Sequence, residues 1–142
     1  SLIHRACHLL ALGRLDWSSV DPRILGKMLA YQKFLDDNVI EEFVELETPH
    51  YHKDYLYAGT PDALVVDRKL KCFLYDLKTG RPAKHHALQT AAYAGFFPGV
   101  TKRATLFLHD ERYNLRFHSD RTDWGDWISC LNCFRLKQGV KW

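Results

Sequence analysis

No apolar run in this 142-residue chain approaches the roughly 20 residues that a membrane-crossing helix needs, so no membrane partner is expected. The N-terminus, Ser1-Leu2-Ile3-His4, lacks the basic stretch followed by an apolar one that marks a signal peptide. The chain opens inside what reads as a helix, which leaves room for an upstream segment. Cysteine is sparse. The four, at positions 7, 72, 130 and 133, are too unevenly spaced for a secreted disulfide framework, so a reducing cytoplasm is the expected compartment. There is no internal repeat, low-complexity stretch or linker, and the length suits one domain spanning 1–142. His4 and His8 share a helix face at a spacing that zinc can use. No glutamate separates them in the pattern of a zinc protease, and no third ligand is near.

What remains is an ordinary globular composition, 46% hydrophobic and 26% charged. The net charge of +3, with eight histidines in reserve, is compatible with a polyanionic partner without requiring one. Helical spacing places Leu2, Ala6, Leu9, Leu10 and Gly13 on one arc. Asp21-Pro22 predicts a second helix start, with Asp as N-cap and Pro at the first helical position. Ile24, Met28, Tyr31 and Leu35 follow at core spacing, and the helix should stop near Asp36-Asp37-Asn38. The period then changes. Val39 to Thr48, Tyr55 to Val66 and Leu70 to Leu77 read as strands, the last two joined by a turn at 67–69. Val44 and Leu46 alternate against Glu45 and Glu47, so the two glutamates share a face. A turn at 78–82 leads into a helix over Ala83 to Phe97, closed by Pro98-Gly99. Two more strands, Arg103 to His109 and Tyr113 to His118, precede a helix over Asp123 to Lys137 that turns Trp124, Trp127, Ile128 and Leu131 inward. The order α-α-β-β-β-α-β-β-α predicts an α/β fold, a mixed sheet flanked by helices.

One constellation carries chemistry. Asp62 follows Pro61 early in one strand, and Asp76 and Lys78 end the next. Residues two apart in a strand share a face, so Asp76 and Lys78 project together. A hairpin turning at 67–69 sets Asp62 opposite Asp76. Two acids and a lysine therefore converge at one end of the sheet. Phosphodiester hydrolysis needs such a set. A hard divalent cation on carboxylate oxygens neutralises the anionic substrate and acidifies a bound water. A lysine orients or deprotonates that water, or steadies the charge that develops.

In this context the stretch resembles the RecB-like exonuclease branch of the PD-(D/E)XK nuclease superfamily. That branch has a helical histidine, then P-D, then D-x-K, then Q-x-x-x-Y. Here they stand in order as His4, Pro61-Asp62, Asp76-Leu77-Lys78 and Gln89-Thr90-Ala91-Ala92-Tyr93. The segment from Ile3 to Trp17 is also similar to small nucleases of bacteriophages and prophages. The resemblance implies a restriction-endonuclease-like fold and a deoxyribonuclease dependent on Mg²⁺ or Mn²⁺, acting in a bacterial or phage-infected cell. His4, Asp62, Asp76 and the Leu77 backbone carbonyl would bind metal, Lys78 would be the catalytic lysine, and Gln89 and Tyr93 would hold the DNA strand. Glu47 is an additional candidate ligand, with Glu45 competing for the role. Arg81 and Lys84, with His85 and His86 near a helix start, are candidates for backbone phosphate contacts. The remaining histidines, at 50, 52, 109 and 118, read with these two as surface or turn residues.

Some RecB-like nucleases hold an iron–sulfur cluster with one cysteine before the histidine and three near the C-terminus. This chain has Cys7 after His4 and only Cys130 and Cys133 late, so that pattern fails and the pair should decorate a helix. The leading expectation is an exonuclease on single strands or duplex ends, as a homo-oligomer or beside a recombination or repair partner. An endonuclease or nickase with the same core, and a silent DNA-binding module, are the alternatives.

Overall fold

The computed structural model describes residues 1–139; the last three positions of the expected 1–142 domain lie outside the described residues. Among the described residues four α-helices, a short 3-10 turn (Trp17–Ser19) after the first, and seven strands follow one another: α1 (Leu2–Ala11), α2 (Leu25–Asn38), β1 (Ile40–Leu46), β2 (His50–His52), β3 (Tyr57–Gly59), β4 (Ala63–Asp67), β5 (Cys72–Lys78), α3 (Lys84–Ala94), β6 (Arg103–Leu108), β7 (Tyr113–His118) and α4 (Asp123–Lys137). Five strands form one sheet in the order β1-β4-β5-β6-β7. Only the β5–β6 pair is parallel. A parallel pair needs a crossover, and α3 supplies it. The expected mixed sheet flanked by helices is what the chain builds.

Alternation along the strands assigns each face. Ala63, Val65, Phe73, Tyr75, Ala104 and Leu106 pack against Ala6, Cys7 and Leu10 of α1 and against Met28, Tyr31 and Phe34 of α2. The two buried tyrosines meet at their hydroxyls, Tyr31 Oη to Tyr75 Oη 2.5 Å, so neither polar tip is stranded in the core. The opposite face carries Leu64, Leu74, Thr105 and Phe107, all buried. Over it lies α3, which packs on β5, β6 and α4. A second, smaller apolar cluster joins Tyr57 and Ala92 to the Trp124, Trp127, Ile128 and Leu131 face of α4, the face expected to turn inward.

Several local expectations are corrected. On α1 the buried positions are Ala6, Cys7 and Leu10, while Leu2 and Leu9 stay exposed. The second helix begins at Leu25, three residues after Pro22; the Asp21 carboxylate is taken by the backbone N–H and guanidinium of Arg23 instead of capping a helix. Val39 adopts a left-handed conformation, φ 45°, and ends α2 rather than starting a strand. Val44 is exposed and Phe43 packs on the core, because register shifts interrupt β1 between Ile40 and Glu42 and between Phe43 and Glu45. The expected strand from Tyr55 to Val66 is two strands. Tyr57–Gly59 pairs with β2, and Ala63–Asp67 pairs with β1 and β5. Pro61, fully buried, stands at the break, where a residue without an N–H cannot donate to a ladder.

A buried polar network ties the second layer together. The Arg103 guanidinium, on β6, donates to the Ala87 carbonyl and Thr90 hydroxyl of α3, to the Asp120 carbonyl and to Asp123 Oδ2 of α4, the last at 2.8 Å. The Arg103 and Asp123 side chains are both nearly inaccessible. Removing one partner of such a pair leaves the other charge buried and alone. Arg103→Ala should therefore cost about 3–5 kcal/mol in urea unfolding, whereas an apolar replacement of both partners should recover most of the loss.

Candidate functional site

The sheet register brings the predicted acids together. Ala63 lies opposite Tyr75 and Leu64 opposite Leu74, the pairing expected for a hairpin turning at 67–69. One step further, Asp62 faces Asp76. There β4 has ended, and a side chain takes over from the strand: the Leu77 N–H donates to Asp62 Oδ2 at 2.7 Å. The N–H and C=O of one strand residue leave on the same side. The Leu77 carbonyl therefore leaves β5 on the β4 side, beyond the end of that strand. Asp76 and Lys78, two apart on β5, share the face under α3, and Lys78 Nζ stands 2.8 Å from Asp76 Oδ2. From the other layer α1 delivers His4, whose Nε2 is 3.7 Å from Asp62 Oδ2, an ion pair rather than a hydrogen bond. His4 Nδ1 is held by the Ser1 hydroxyl at 2.7 Å.

Both carboxyls are buried, Asp62 at 9% and Asp76 at 3% exposure, and each shifts the titration of the other. Two like charges at this separation cannot both ionise freely. Burial first, and then the Asp62 charge, push Asp76 up to about 7; Lys78 opposes this without cancelling it. Burial also works against Asp62, but His4, Asp76 and the Leu77 N–H outweigh it and hold Asp62 below its ordinary value. Asp62 in turn raises His4. The two carboxyls interact strongly, so their protonation steps belong to the pair rather than to either residue alone. Asp76 Oδ2 is buried against the Lys78 ammonium, without a backbone N–H donor such as Asp62 has from Leu77.

Two buried carboxyls, one of them against an ammonium, beside an imidazole and a backbone carbonyl on the same side of β5, are a donor set suited to a hard divalent cation. His4, Asp62, Asp76 and the Leu77 carbonyl therefore fit a metal chemically. Among the described residues no three His, Cys, Asp or Glu side chains form a ready-made cage.

The helix α3 closes the site from the other face. Gln89 Nε2 donates to Tyr93 Oη at 3.1 Å, the contact expected for residues four apart. Burial, followed by the charges of Asp76 and Asp62, raises the Tyr93 phenol, which places its hydroxyl within the field of the acids. A Cβ at Gly59 would stand 2.8 Å from Tyr93 Cε1, so glycine at this position lets β3 approach the ring.

Glu47 enters differently from the sequence expectation. It lies past the end of β1 with φ 49°, and its N–H donates to the Asp62 carbonyl. The left-handed turn separates it from Glu45. Glu47 Oε2 meets His8 Nδ1 at 3.2 Å, while Glu45 Oε1 meets His50 Nε2 at 3.5 Å. The two glutamates therefore do not compete for one place; Glu47 is the one joined to the Asp62 backbone. Sequence reasoning missed His8 as its partner, although its position one turn after His4 was the available signal.

The basic residues before α3 divide. Arg81, Lys84 and His85 are exposed. Lys84 lies toward Asp120, which it helps hold below its ordinary value after the dominant Thr122 hydrogen bonds. His86 is buried at 6% exposure, its Nδ1 accepting from the Ala83 N–H to cap α3. It is a capping residue, against the surface reading. His50, His52 and His118 are also partly buried, and His118 Nε2 contacts the Thr105 hydroxyl at 2.8 Å. Cys130 and Cys133 are free and exposed on α4, as expected of a decorating pair. Among the described residues no helix is long and apolar enough to cross a membrane.

No family model matches the chain, and no curated protein matches it. Among solved structures it is similar to the crystal structure of SSO0001, at 18% identity over 96% of this chain and 73% of that one, with a TM-score of 0.49.

The raised Asp76 carboxyl has a consequence for the metal-free protein. A carboxyl whose folded pKa lies above its unfolded value lowers stability as pH rises between the two, here from about 4 to about 7. His4, also raised, acts in the same direction, since its contribution is present at low pH and lost as pH passes its folded value. The lowered Asp62 acts only below its ordinary range, near pH 4. In EDTA the protein should therefore be less stable to urea at pH 8 than at pH 5, by on the order of 2 kcal/mol. Asp76→Asn should remove most of that slope; an unchanged slope would show that Asp76 titrates normally.

Proposed function

We propose that this chain is a metal-dependent deoxyribonuclease of the PD-(D/E)XK type, with a restriction-endonuclease-like core, and that it acts as an exonuclease. One observation carries the reading: at the end of β5 two buried carboxyls stand side by side with a lysine 2.8 Å from one and a histidine from α1 3.7 Å from the other. A stable core gains nothing from confining two acids in this way. The arrangement makes sense as a cation site waiting to be neutralised. The order of His4, Asp62, Asp76, Lys78, Gln89 and Tyr93 along the chain adds the resemblance noted above.

When bound, Mg²⁺ or Mn²⁺ on the Asp62 and Asp76 carboxylates, His4 and the Leu77 carbonyl would neutralise phosphate charge and acidify water. Glu47, tied to the Asp62 backbone, extends the acidic set. The chain's own residues do the rest. The Leu77 N–H and His4 fix Asp62 in one orientation. Lys78 is only partly exposed and leans on Asp76; with Asp76 engaged by a cation, its ammonium would be available to orient the attacking water or to meet charge developing on phosphate. Gln89 and Tyr93, bonded to one another, present an amide and a phenol above the acids to steady the strand. Arg81 and Lys84 are candidates for outer phosphate contacts. The partner is DNA, as single strands or duplex ends, and the setting is the cytoplasm of a bacterium or phage-infected cell, alone, as a homo-oligomer or with a recombination partner.

The test compares end-labelled linear DNA, single- and double-stranded, with closed circular DNA in Mg²⁺, Mn²⁺ or EDTA. Linear DNA should be degraded only with metal, and Lys78→Ala should lower the rate at least about 100-fold while keeping the wild-type unfolding midpoint. Cutting of the circle would replace the exonuclease reading with an endonuclease. Metal-independent binding without cleavage would leave a DNA-binding module. Metal binding has its own signature. At pH 6, Mg²⁺ should displace the proton that the raised Asp76 carboxyl holds, so calorimetry in buffers of different ionisation enthalpy should report net proton release, absent in Asp76→Asn.

A further inference from the structure

A second feature lies at the opposite end of the sheet. Between the C-terminal end of α2, the β4–β5 turn and the ends of β6 and β7 is a cleft of about 510 Å³. It is separate from the acids. The strand β5 runs from the cleft to Lys78, and its seven residues span about 20 Å.

The cleft is built of two kinds of surface. Phe73 and Phe117 form its aromatic wall, ring centroids 5.4 Å apart and edge to face. Phe73 is buried and rigidly held in the core, whereas Phe117 is 49% exposed and offers a ring to the solvent. Around them stand Arg68, Lys69, Lys71 and Lys102, all exposed. None of the four has an ion-pair partner among the described residues. Two acids, Asp37 and Asp67, also line the cleft; set against the four cations they leave an excess of two positive charges, and both acids also serve the fold. The Asp67 carboxylate accepts from the Lys69 and Lys71 backbone N–H groups, at 2.9 and 3.0 Å, and so shapes the turn that displays the cations. The Asp37 carboxylate accepts from the Tyr113 hydroxyl at 2.9 Å.

We propose that this cleft is a binding site for single-stranded nucleic acid, with phosphates on the four cations and a base against the Phe117 ring. Unpaired cations alone would suit any polyanion. An exposed aromatic ring set among them favours a ligand that alternates flat apolar faces with phosphates, because base stacking adds to phosphate contact without demanding a sequence. An acidic peptide supplies the charge but not the faces. The site does not depend on the catalytic reading. It would hold a strand at a fixed distance from whatever chemistry the acids perform.

The test reads binding alone. The full chain is titrated in EDTA against a fluorescent oligothymidylate of about 12 nucleotides, and against a base-free sugar–phosphate strand of the same length, at salt between about 50 and 200 mM. The double variant Lys71→Ala/Lys102→Ala should weaken binding of both strands at least about 10-fold and flatten the salt dependence by about 1.4 in log–log slope. Phe117→Ala should weaken the oligothymidylate several-fold and leave the base-free strand unchanged. Lys53→Ala, an exposed control elsewhere, should change neither. Wild-type affinity in the double variant would overturn the proposal, as would equal loss of both strands in Phe117→Ala, or competition by polyglutamate as effective as by oligonucleotide. Since no cleavage is read, failure of the nuclease reading would not alter these outcomes.

Discussion

Of two carboxylic acids buried side by side, one is fixed against the neighbouring strand by a hydrogen bond from the Leu77 N–H to Asp62 Oδ2. In a regular ladder that N–H would donate to a backbone carbonyl of β4. Because β4 starts only at Ala63, the donor is open, and the carboxylate of the preceding residue accepts it. The bond satisfies a buried amide and fixes one acid against the next strand. It leaves Asp76 with an unfavourable neighbour that only a proton, Lys78 or a cation can relieve. The proposed chemistry depends on this geometry, as do the raised Asp76 and the direction of the Leu77 carbonyl.

The layers are arranged around that point. One face of the sheet is covered by α1 and α2 through an apolar core that reaches from Cys7 and Met28 to Tyr75 and Leu106. That packing determines where His4 ends up, since the histidine rides one turn before Ala6 and Cys7 on the same helix. The other face is covered by α3, which is braced to β6 and α4 by the Arg103 network. Bracing α3 positions Gln89 and Tyr93 above the acids. Each layer therefore contributes one side of the site, and the sheet contributes its floor and its charge. The cationic cleft at the far end uses the same sheet differently: there α2 has stopped at Asn38, and Phe117 is left half uncovered.

Much of this was legible in advance, for identifiable reasons. The pairing of Asp62 with Asp76 follows from one turn position, because an antiparallel hairpin has a single register once its turn is known. The shared face of Asp76 and Lys78 follows from strand period, and the Gln89–Tyr93 contact from helix period. The inward face of α4 follows from the same rule. Readings failed where neighbours in space overrode neighbours in sequence. The segment from Tyr55 to Val66 looks continuous, yet buried Pro61 divides it and the two halves join different sheets. Glu45 and Glu47 alternate on paper, but a bulge and a left-handed residue send them to different histidines. His86 has the composition of a surface residue and serves as a helix cap.

Local periodicity, then, was sufficient for the element order, the α/β class and the convergence of the two acids and the lysine, since each is set by spacing along one hairpin. The partners of His8 and His86, the Arg103 network, the split of the middle strand and the cationic cleft were decided only by the tertiary structure. They join residues from separate elements, and which of those meet depends on how the helices pack across the sheet, a relation that no short-range period encodes.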